Sequence, residues 1–203
     1  MKTGWKQQKL HEVCVFINRG ISPKYTEKAG VCVLNQKCIR DHKINYSLSR
    51  RHDVSYKPIS EERFIRLGDV LVNSTGTGTL GRVAQVRKQP AERTIVDSHI
   101  TIVRPRQEIL NLDFFGYMLV AIEDLIKEAG EGCGGQTELA RSTLAERFSV
   151  TYPISTSEQC RIAKTLDKVV AETHHLESLY NKKLASLDEL KKSVLHKAFN
   201  GAL

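Results

Sequence analysis

The sequence predicts an α+β fold, in which a strand-rich mixed globular domain is followed by a long C-terminal helix that forms a coiled coil. Short apolar runs separated by Gly, Asn, Asp and Ser turns recur through residues 1–152, which is typical of strands. The remaining residues contain no Pro or Gly between Pro153 and Gly201 and repeat their apolar side chains at helical spacing. We therefore predict two domains, 1–152 and 153–203, that meet where the period changes at Tyr152-Pro153.

The elements of the first domain are predicted from the pattern of apolar residues. A helix is expected over Leu112–Ala129, where aromatic and aliphatic side chains form one face, and Gly130 would end it. The glycine-rich segment Gly130–Thr137 is then a loop that leads to a second, short helix at Leu139–Arg147. Five apolar runs are predicted strands: Glu12–Ile17, Val31–Leu34, Asp69–Asn73, Arg82–Val86 and Ile100–Val103.

A long helix is predicted to follow Pro153. Its start carries two overlapping capping boxes, Ser155 with Glu158 and Thr156 with Gln159, in which a hydroxyl caps an N–H group and the later side chain reaches back. At ~1.5 Å per residue the rod would span roughly 60 Å, about twice the width of a small domain, so one domain cannot cover its apolar stripe. A partner helix is expected, and an ordinary long helix lying on its own domain is the alternative.

The apolar stripe of this helix is the predicted interface with the partner helix. Thr173 lies within the stripe, and Lys183 and Lys197 interrupt it. The apolar positions recur at the spacings that place side chains on one face of a helix: Ile162, Leu166, Val169, Leu176, Tyr180, Leu187, Leu190 and Val194.

The composition, with 40% hydrophobic and 27% charged residues, is that of a soluble globular protein. No apolar run is long enough to cross a membrane, and residues 1–10 are polar and basic, so we expect a cytoplasmic protein without membrane contact. The five cysteines form no C-x-x-C pair and are odd in number, which predicts reduced, packed thiols and no zinc site. We also expect no other metal site and no cofactor.

The net charge of +8 lies mostly in the first domain. Residues 1–152 hold 23 Lys and Arg against 17 Asp and Glu, whereas residues 153–203 hold 8 against 6. A basic domain suits a polyanion such as nucleic acid, because Lys and Arg displace the counterions of phosphates.

One glycine-rich motif invites a nucleotide-binding interpretation. Gly76–Val83 matches both G-x-G-x-x-G and the Gly-rich loop of kinases. A dinucleotide fingerprint must open a helix, whereas Arg82–Val86 has the pattern of a strand that follows another strand. A kinase would also need H-R-D-x-x-x-x-N and D-F-G motifs, which the sequence lacks. The motif therefore predicts a tight hairpin between two strands.

The sequence carries no familiar catalytic motif: it has no P-loop, no H-E-x-x-H and no G-x-S-x-G. Asp97, Ser98 and His99 are consecutive, but consecutive strand residues point to opposite faces and cannot converge on a substrate. His174 and His175 diverge in the same way on the long helix. A nuclease or methyltransferase would show clustered carboxylates or an N/D-P-P-Y/F motif, so we expect a protein that is not an enzyme.

Three segments of the chain resemble, in order, the specificity subunit of type I restriction-modification enzymes. They are Gly68–Ala84, Pro153–Ala163 and Leu190–Leu203, and the opening Trp5–Val13 is similar to the start of a target recognition domain of that family. The resemblance implies a DNA target recognition domain at 1–152 and a helical spacer at 153–203. It also implies double-stranded DNA as the ligand, with adenine methylation and DNA cleavage left to separate modification (methyltransferase) and restriction subunits.

The sequence has half of the usual family pattern. Members of the family usually carry two recognition domains and two spacer helices, which the resemblance implies pack antiparallel, whereas this sequence has one of each. A second copy of the chain would supply the missing helix, so an antiparallel homodimer through the apolar stripe is expected. The alternative is a coiled-coil adaptor or degenerate remnant that binds modification subunits without reading DNA.

Basic and amide or hydroxyl side chains in four segments are the candidate DNA contacts. Lys and Arg bind phosphates, Arg can also donate to guanine, and Asn or Gln can read adenine. A solvated surface role is the alternative for each of them. The candidates are Lys37 and Arg40; Tyr46, Arg50, Arg51 and Lys57; Thr77, Thr79 and Arg82 of the glycine-rich hairpin; and Gln136, Thr137 and Arg141.

Overall fold

A computed structural model of the chain describes residues 3–27, 29–56, 58–130 and 137–201. The polypeptide divides into two compact units, of which the first ends at Cys160 and the second begins at Arg161. The strand-rich mixed architecture and the long C-terminal helix confirm the predicted α+β class. The predicted boundary between a recognition domain and a spacer, at Tyr152-Pro153, stays a prediction.

The described residues form strands and α-helices in the following order. The strands are β1 (Trp5–Lys9), β2 (Cys14–Arg19), β3 (Tyr25–Thr26), β4 (Val31–Leu34), β5 (Ile39–Arg40), β6 (Lys43–Ile44), β7 (Arg50–His52), β8 (Val70–Asn73), β9 (Val83–Gln85), β10 (Thr94–Val96), β11 (Ile100–Pro105) and β12 (Ser149–Pro153). The α-helices are α1 (Leu10–Val13), α2 (Leu112–Ala121), α3 (Glu123–Glu128), α4 (Arg141–Arg147) and α5 (Thr156–Phe199).

Two four-stranded sheets form the centre of the first unit. One has the order β10-β4-β7-β3, with β10 and β4 parallel, and the other has the order β2-β11-β8-β9 and is antiparallel throughout. Side chains from both sheets and from β5 share one buried cluster, which includes Phe16, Leu34, Ile39, Leu71, Val96 and Ile102. This common core fixes the β5–β6 hairpin and the β8–β9 hairpin to the same body.

The apolar runs correctly predicted where the central strands lie, but the strand predicted at Glu12–Ile17 begins later than predicted. Val31–Leu34 is a strand as predicted, and the other four runs each overlap one. Residues 12 and 13, however, belong to α1, because the backbone N–H of Lys9 donates to the Glu12 carboxylate at 2.6 Å and closes a helical turn. The strand therefore begins at Cys14.

Both helices predicted before the tail are shorter in the structure. The span Leu112–Ala129 divides at Ile122, whose backbone (φ −104°, ψ 10°) leaves the helical region between α2 and α3. The helix predicted at Leu139–Arg147 begins only at Arg141. Leu139 is excluded because its N–H donates to the carbonyl of Ser74 at 2.8 Å, which holds it beside the β8–β9 hairpin.

The start of α5 confirms one capping interaction and corrects the other. The N–H of Glu158 donates to the Ser155 hydroxyl at 3.4 Å, as the first capping box predicts. Gln159 does not reach back to Thr156, because its fully buried amide joins the helix to two other segments. It accepts from the N–H of Asn111 at 2.7 Å and donates to the carbonyls of Pro153 at 2.8 Å and Ile109 at 3.1 Å.

Replacing Gln159 with leucine is expected to destabilise the first unit by about 2 kcal/mol or more. The substitution leaves one buried and two partly buried backbone groups without their partner, and an unsatisfied buried group costs about 1–3 kcal/mol before any relaxation. Urea unfolding of Gln159→Leu measures the loss. The same change at the exposed Gln107 is the control and is expected to stay within about 0.5 kcal/mol of the unaltered protein.

The described cysteines are free thiols, and three of them, Cys14, Cys32 and Cys38, are buried. Burial raises the pKa of the Cys14 thiol to about 12. Cys133 lies outside the described residues. Among the residues that the structure describes, no group of three or more His, Cys, Asp and Glu side chains is placed to hold a metal ion. Within the same residues, no helix combines the length and the apolar character that a membrane span needs.

Candidate nucleic-acid interface

An open cleft of about 560 Å³ lies on the first unit, where three segments that are distant in sequence meet. The turn between β5 and β6, the β8–β9 hairpin and α3 supply most of its lining. The lining residues are Arg40, Asp41, His42, Gly78, Leu80, Arg82, Glu123, Lys127 and Thr137.

The β5–β6 turn presents polar side chains on a backbone that favours glycine. Asp41 and His42 have φ values of 50° and 57°, as the two central residues of a type I′ hairpin turn require. Asn-Gly would adopt this turn at lower cost, so the chain retains a carboxylate and an imidazole there despite the backbone strain. The buried Ile39 anchors the turn, while the side chains of Arg40 and Asp41 are 77% and 86% exposed.

The glycine-rich motif is a hairpin, as predicted. It joins β8 to β9, which pair antiparallel with Val70 opposite Gln85, so it opens no helix and has no dinucleotide fingerprint geometry. Gly81 sits at φ +81°, and a Cβ atom there would lie 2.8 Å from the backbone of Lys127. The hairpin can therefore approach α3 only because this residue has no side chain.

Gly81→Ala is expected to destabilise the protein by more than Gly78→Ala, which provides a matched control. Both glycines have positive φ, so both substitutions carry a left-handed strain of about 1–2 kcal/mol. At Gly78 the added methyl group meets nothing within 4 Å, whereas at Gly81 it collides with the α3 backbone. Thermal unfolding of the two variants should show the larger loss for Gly81→Ala, and equal losses would contradict the close approach.

Glu123 contacts residues from each of the segments that meet at the cleft. Its side chain is only 13% exposed and accepts from the N–H of Val83 at 2.8 Å. The same carboxylate lies 3.2 Å from His42 Nε2 and 2.6 Å from Lys127 Nζ. The hydrogen bonds that Lys127 donates to Glu123 and then to Asp124 raise the pKa of Lys127, so this amine stays charged. The carboxylate therefore ties the turn, β9 and α3 together at the cleft.

The cleft carries both signs of charge. Arg40, Arg82 and Lys127 are its cations, and Asp41 and Glu123 are its carboxylates, so cations are in slight excess before His42 is counted. Arg82 donates to the carbonyl of Gly78 at 2.8 Å, which holds the guanidinium along the hairpin. Such a surface can bind phosphates and can also offer both donors and acceptors to base edges.

The structure brings several predicted DNA contacts to this cleft. Arg40, Arg82 and Thr137 line it directly. Thr79 donates to the Gln36 amide oxygen at 3.1 Å, which places the exposed Lys37 on the segment that contacts the hairpin. Thr77 is exposed on the same hairpin.

Other predicted contacts lie outside the cleft lining. The guanidinium of Arg50 stacks 3.6 Å from the ring centre of Tyr25, and Arg51 pairs with Glu92 at 2.5 Å and donates to the Gly30 carbonyl at 3.3 Å. Two more candidates are exposed elsewhere: Tyr46 between β6 and β7, and Arg141 at the first residue of α4. Lys57 and Gln136 lie outside the described residues.

Sequence reasoning missed the contribution of α3 and of the turn tip. Glu123 and Lys127 are an i, i+4 pair, a pattern that usually marks a solvated helix face. Asp41 and His42 lie in a polar segment that contains no glycine, so the sequence gives no signal of a tight turn there. Only the tertiary approach of β9 to α3 shows that these residues face Arg40 and Arg82.

The apolar stripe predicted on α5 is exposed. The helix is continuous over 44 residues. Among the predicted interface residues, Ile162 and Leu166 are partly exposed, while the following side chains are between 44% and 64% exposed: Val169, Leu176, Tyr180, Leu187, Leu190 and Val194. In water such a stripe is unstable unless another surface covers it.

The profile of the type I restriction modification DNA specificity domain matches residues 2–185 of this chain. The chain belongs to this family. The match covers most of both compact units. Among curated proteins, none is significantly similar in sequence.

Solved structures of type I specificity subunits share the fold. The HsdS subunit from Thermoanaerobacter tengcongensis matches with a TM-score of 0.70 and 21% identity, over 100% of this chain and 46% of that one. The S subunit from M. genitalium matches with a TM-score of 0.58 and 17% identity, over 86% of this chain and 41% of that one. A chain from a study of complex assembly and conformational transition of the type I R-M system matches with a TM-score of 0.76 and 24% identity, over 100% of this chain and 47% of that one. This specificity-family chain thus spans slightly less than half the length of these structures.

Proposed function

We propose that the chain recognises a short sequence of double-stranded DNA as one half of the specificity subunit of a type I restriction-modification complex. The observation that carries the proposal is the cleft in which Arg40, Arg82 and Lys127 converge from three segments, in a chain of the specificity family. The chain itself is proposed to be non-catalytic. Adenine methylation and DNA cleavage are proposed to belong to separate modification and restriction subunits, and the proposed location of the chain is the cytoplasm, together with its DNA ligand.

The cleft fits duplex DNA better than a small anion. Arg40 and Asp41 project from a narrow two-residue turn, and a two-stranded ribbon is narrow enough to enter the major groove. Arginine donates to guanine and a carboxylate accepts from the amino group of cytosine, so both signs of charge are useful at base edges. Lys37 and Arg82 are proposed to hold the surrounding phosphates.

The salt dependence of duplex binding tests this assignment. Arg40→Ala combined with Arg82→Ala is expected to weaken binding to mixed-sequence duplex and to reduce the slope of log affinity against log salt by about one unit per lost phosphate contact. Arg51→Ala is the matched control, because Arg51 lies outside the cleft lining and pairs with Glu92. The measurement is fluorescence anisotropy of labelled duplex over a salt series.

Two outcomes of that titration would count against the proposal. A slope that Arg40→Ala with Arg82→Ala leaves unchanged would remove the cleft from the DNA interface. No duplex binding by the unaltered protein, even at low salt, would favour an adaptor that binds modification subunits without reading DNA.

The second half of the specificity subunit is proposed to be another copy of the chain. The exposed apolar stripe on α5 supports this. A two-fold interface is self-complementary, so one exposed stripe is sufficient to form it. The proposed dimer is antiparallel through α5, and the modification subunits would bind this dimer.

A further inference from the structure

The stripe on α5 has a pattern that specifies how two copies can pair. Its positions follow alternating steps of four and three residues from Ile162 to Lys197, which is a heptad seam. Thr173 and Lys183 are the polar residues between the apolar positions. Their places in the seam are decisive, because a polar residue facing an apolar one in a coiled coil is disfavoured.

We propose that α5 pairs with α5 of a second copy in a single antiparallel register, centred on position 178, in which Lys183 faces Thr173 of the second copy. This inference rests on the proposed homodimer and adds its register. Because the arrangement is two-fold symmetric, the polar layer occurs twice, once on each side of the centre.

Every other layer between residues 162 and 194 is apolar in this register. Leu176 faces Tyr180, and Val169 faces Leu187. Further out, Leu166 faces Leu190 and Ile162 faces Val194. No seam position between residues 162 and 194 leaves a polar side chain opposite an apolar one.

The polar layer can also satisfy its hydrogen bonds. The Thr173 hydroxyl donates to the carbonyl of Val169 at 2.9 Å, so its oxygen still has an acceptor site. An ammonium group carries three donors and needs acceptors when it leaves bulk water. Lys183 of the second copy can therefore donate to Thr173 while its stem covers the neighbouring apolar layers.

Residues beside the seam support the same centre. Val170, Leu179 and Leu184 are 41%, 48% and 60% exposed in the isolated chain. In the proposed register Val170 lies opposite Leu184 of the second copy, and Leu179 lies opposite its own equivalent at the axis. Glu177 also meets its equivalent near the axis, and each of these carboxylates lies 2.9 Å from Nδ1 of His174 in its own helix.

Shifting the register by one heptad in either direction places polar side chains opposite apolar ones. In one direction Lys183 faces Tyr180 and Thr173 faces Leu190. In the other direction Lys183 faces Leu166, and the flanking Val170 lies opposite Glu177. Each shift buries an amine or carboxylate against an apolar side chain, which the centred register avoids.

Two substitutions at one position distinguish the registers. Thr173→Glu would face Lys183 with an opposite charge in both polar layers and should keep or strengthen the dimer. Thr173→Lys would place two amines together, so its dissociation constant is expected to be at least about tenfold higher than that of Thr173→Glu. Sedimentation equilibrium of the full chain measures both constants.

The results separate the register from the homodimer itself. If both variants weaken the dimer equally, position 173 faces an apolar residue and the register is wrong while the homodimer stands. If the unaltered protein is monomeric at micromolar concentration, the homodimer and its register fail together. Duplex binding by the first unit remains a separate test.

Cross-linking locates the axis independently. With Cys133 and Cys160 replaced by serine, Leu179→Cys should be joined to its equivalent by a short bismaleimide reagent. Ser186→Cys is the control on the same helix face, one heptad away, where the two cysteines would lie 14 positions apart, roughly 21 Å at ~1.5 Å per residue. Equal cross-linking at both positions would overturn the proposed centre.

Discussion

Leu187→Glu is expected to convert the proposed homodimer into a monomer of about 23 kDa. In the proposed register Leu187 faces Val169 of the second copy, so the substitution places a carboxylate in an apolar layer on both sides of the axis. Losing the burial of one leucine costs about 2 kcal/mol, and symmetry doubles the loss. Burying the charge adds to this cost.

A loss of about 4 kcal/mol weakens a dimer by roughly a thousandfold, which separates the subunits at micromolar concentration. Leu195→Glu is the matched control, because Leu195 is 47% exposed on the same helix and lies outside the seam. Sedimentation velocity should show monomer for the first variant and dimer for the second. Equal behaviour of the two variants would show that the seam is not the interface.

Arg104→Met is expected to produce the largest loss of stability in the first unit, about 3–5 kcal/mol. Arg104 binds Asp69 through Nε at 2.7 Å and through a terminal nitrogen at 2.8 Å, and it also donates to the carbonyl of Phe64 at 3.0 Å. The Asp69 side chain is 1% exposed. Without the arginine it becomes a buried charge whose partner is gone.

The pH dependence of this variant has a definite sign. Burial raises the pKa of Asp69, and the bonds from Arg104 oppose that rise. Once the arginine is removed, the folded pKa lies further above the unfolded value, so the folded state binds the proton more tightly. The deficit of Arg104→Met should therefore be largest at neutral pH and shrink as the pH falls.

Urea unfolding at several pH values measures both effects. Arg93→Met is the control, because Arg93 pairs with Glu61 on the surface and such pairs contribute about 1 kcal/mol or less. Asp69→Asn added to Arg104→Met should recover part of the stability, since the amide removes the buried charge. A deficit that is equal at all pH values would contradict the role assigned to Asp69.

The long helix and the central strands could be predicted because their signals are local. The seam of α5 repeats with helical period, and an apolar run such as Val31–Leu34 packs on both faces of its strand. Strands whose residues are polar escaped detection. Arg50–His52 is a strand because β4 and β3 pair with it, and Trp5–Lys9 is one because it pairs with β12.

The candidate site could be predicted only in part, because contacts between residues that are distant in the sequence decide which side chains reach it. Arg40 and Arg82 stood out as basic residues beside turn signals, and both reach the cleft. Arg51 has the same appearance in the sequence, but its charge is taken up by Glu92, a contact between residues 41 positions apart. No local pattern distinguishes an arginine held by a distant carboxylate from one that is available to a phosphate.

The most direct test of the account is the symmetry of the DNA site. A two-fold dimer presents two identical recognition domains, so its target should be an inverted repeat of one short half-site separated by a spacer of fixed length and free sequence. The experiment compares a host that expresses the modification subunits with and without this gene. Sequencing the methylated DNA of both hosts reveals that target. We expect an inverted repeat that disappears when the gene is removed, and an asymmetric bipartite site would contradict the homodimer.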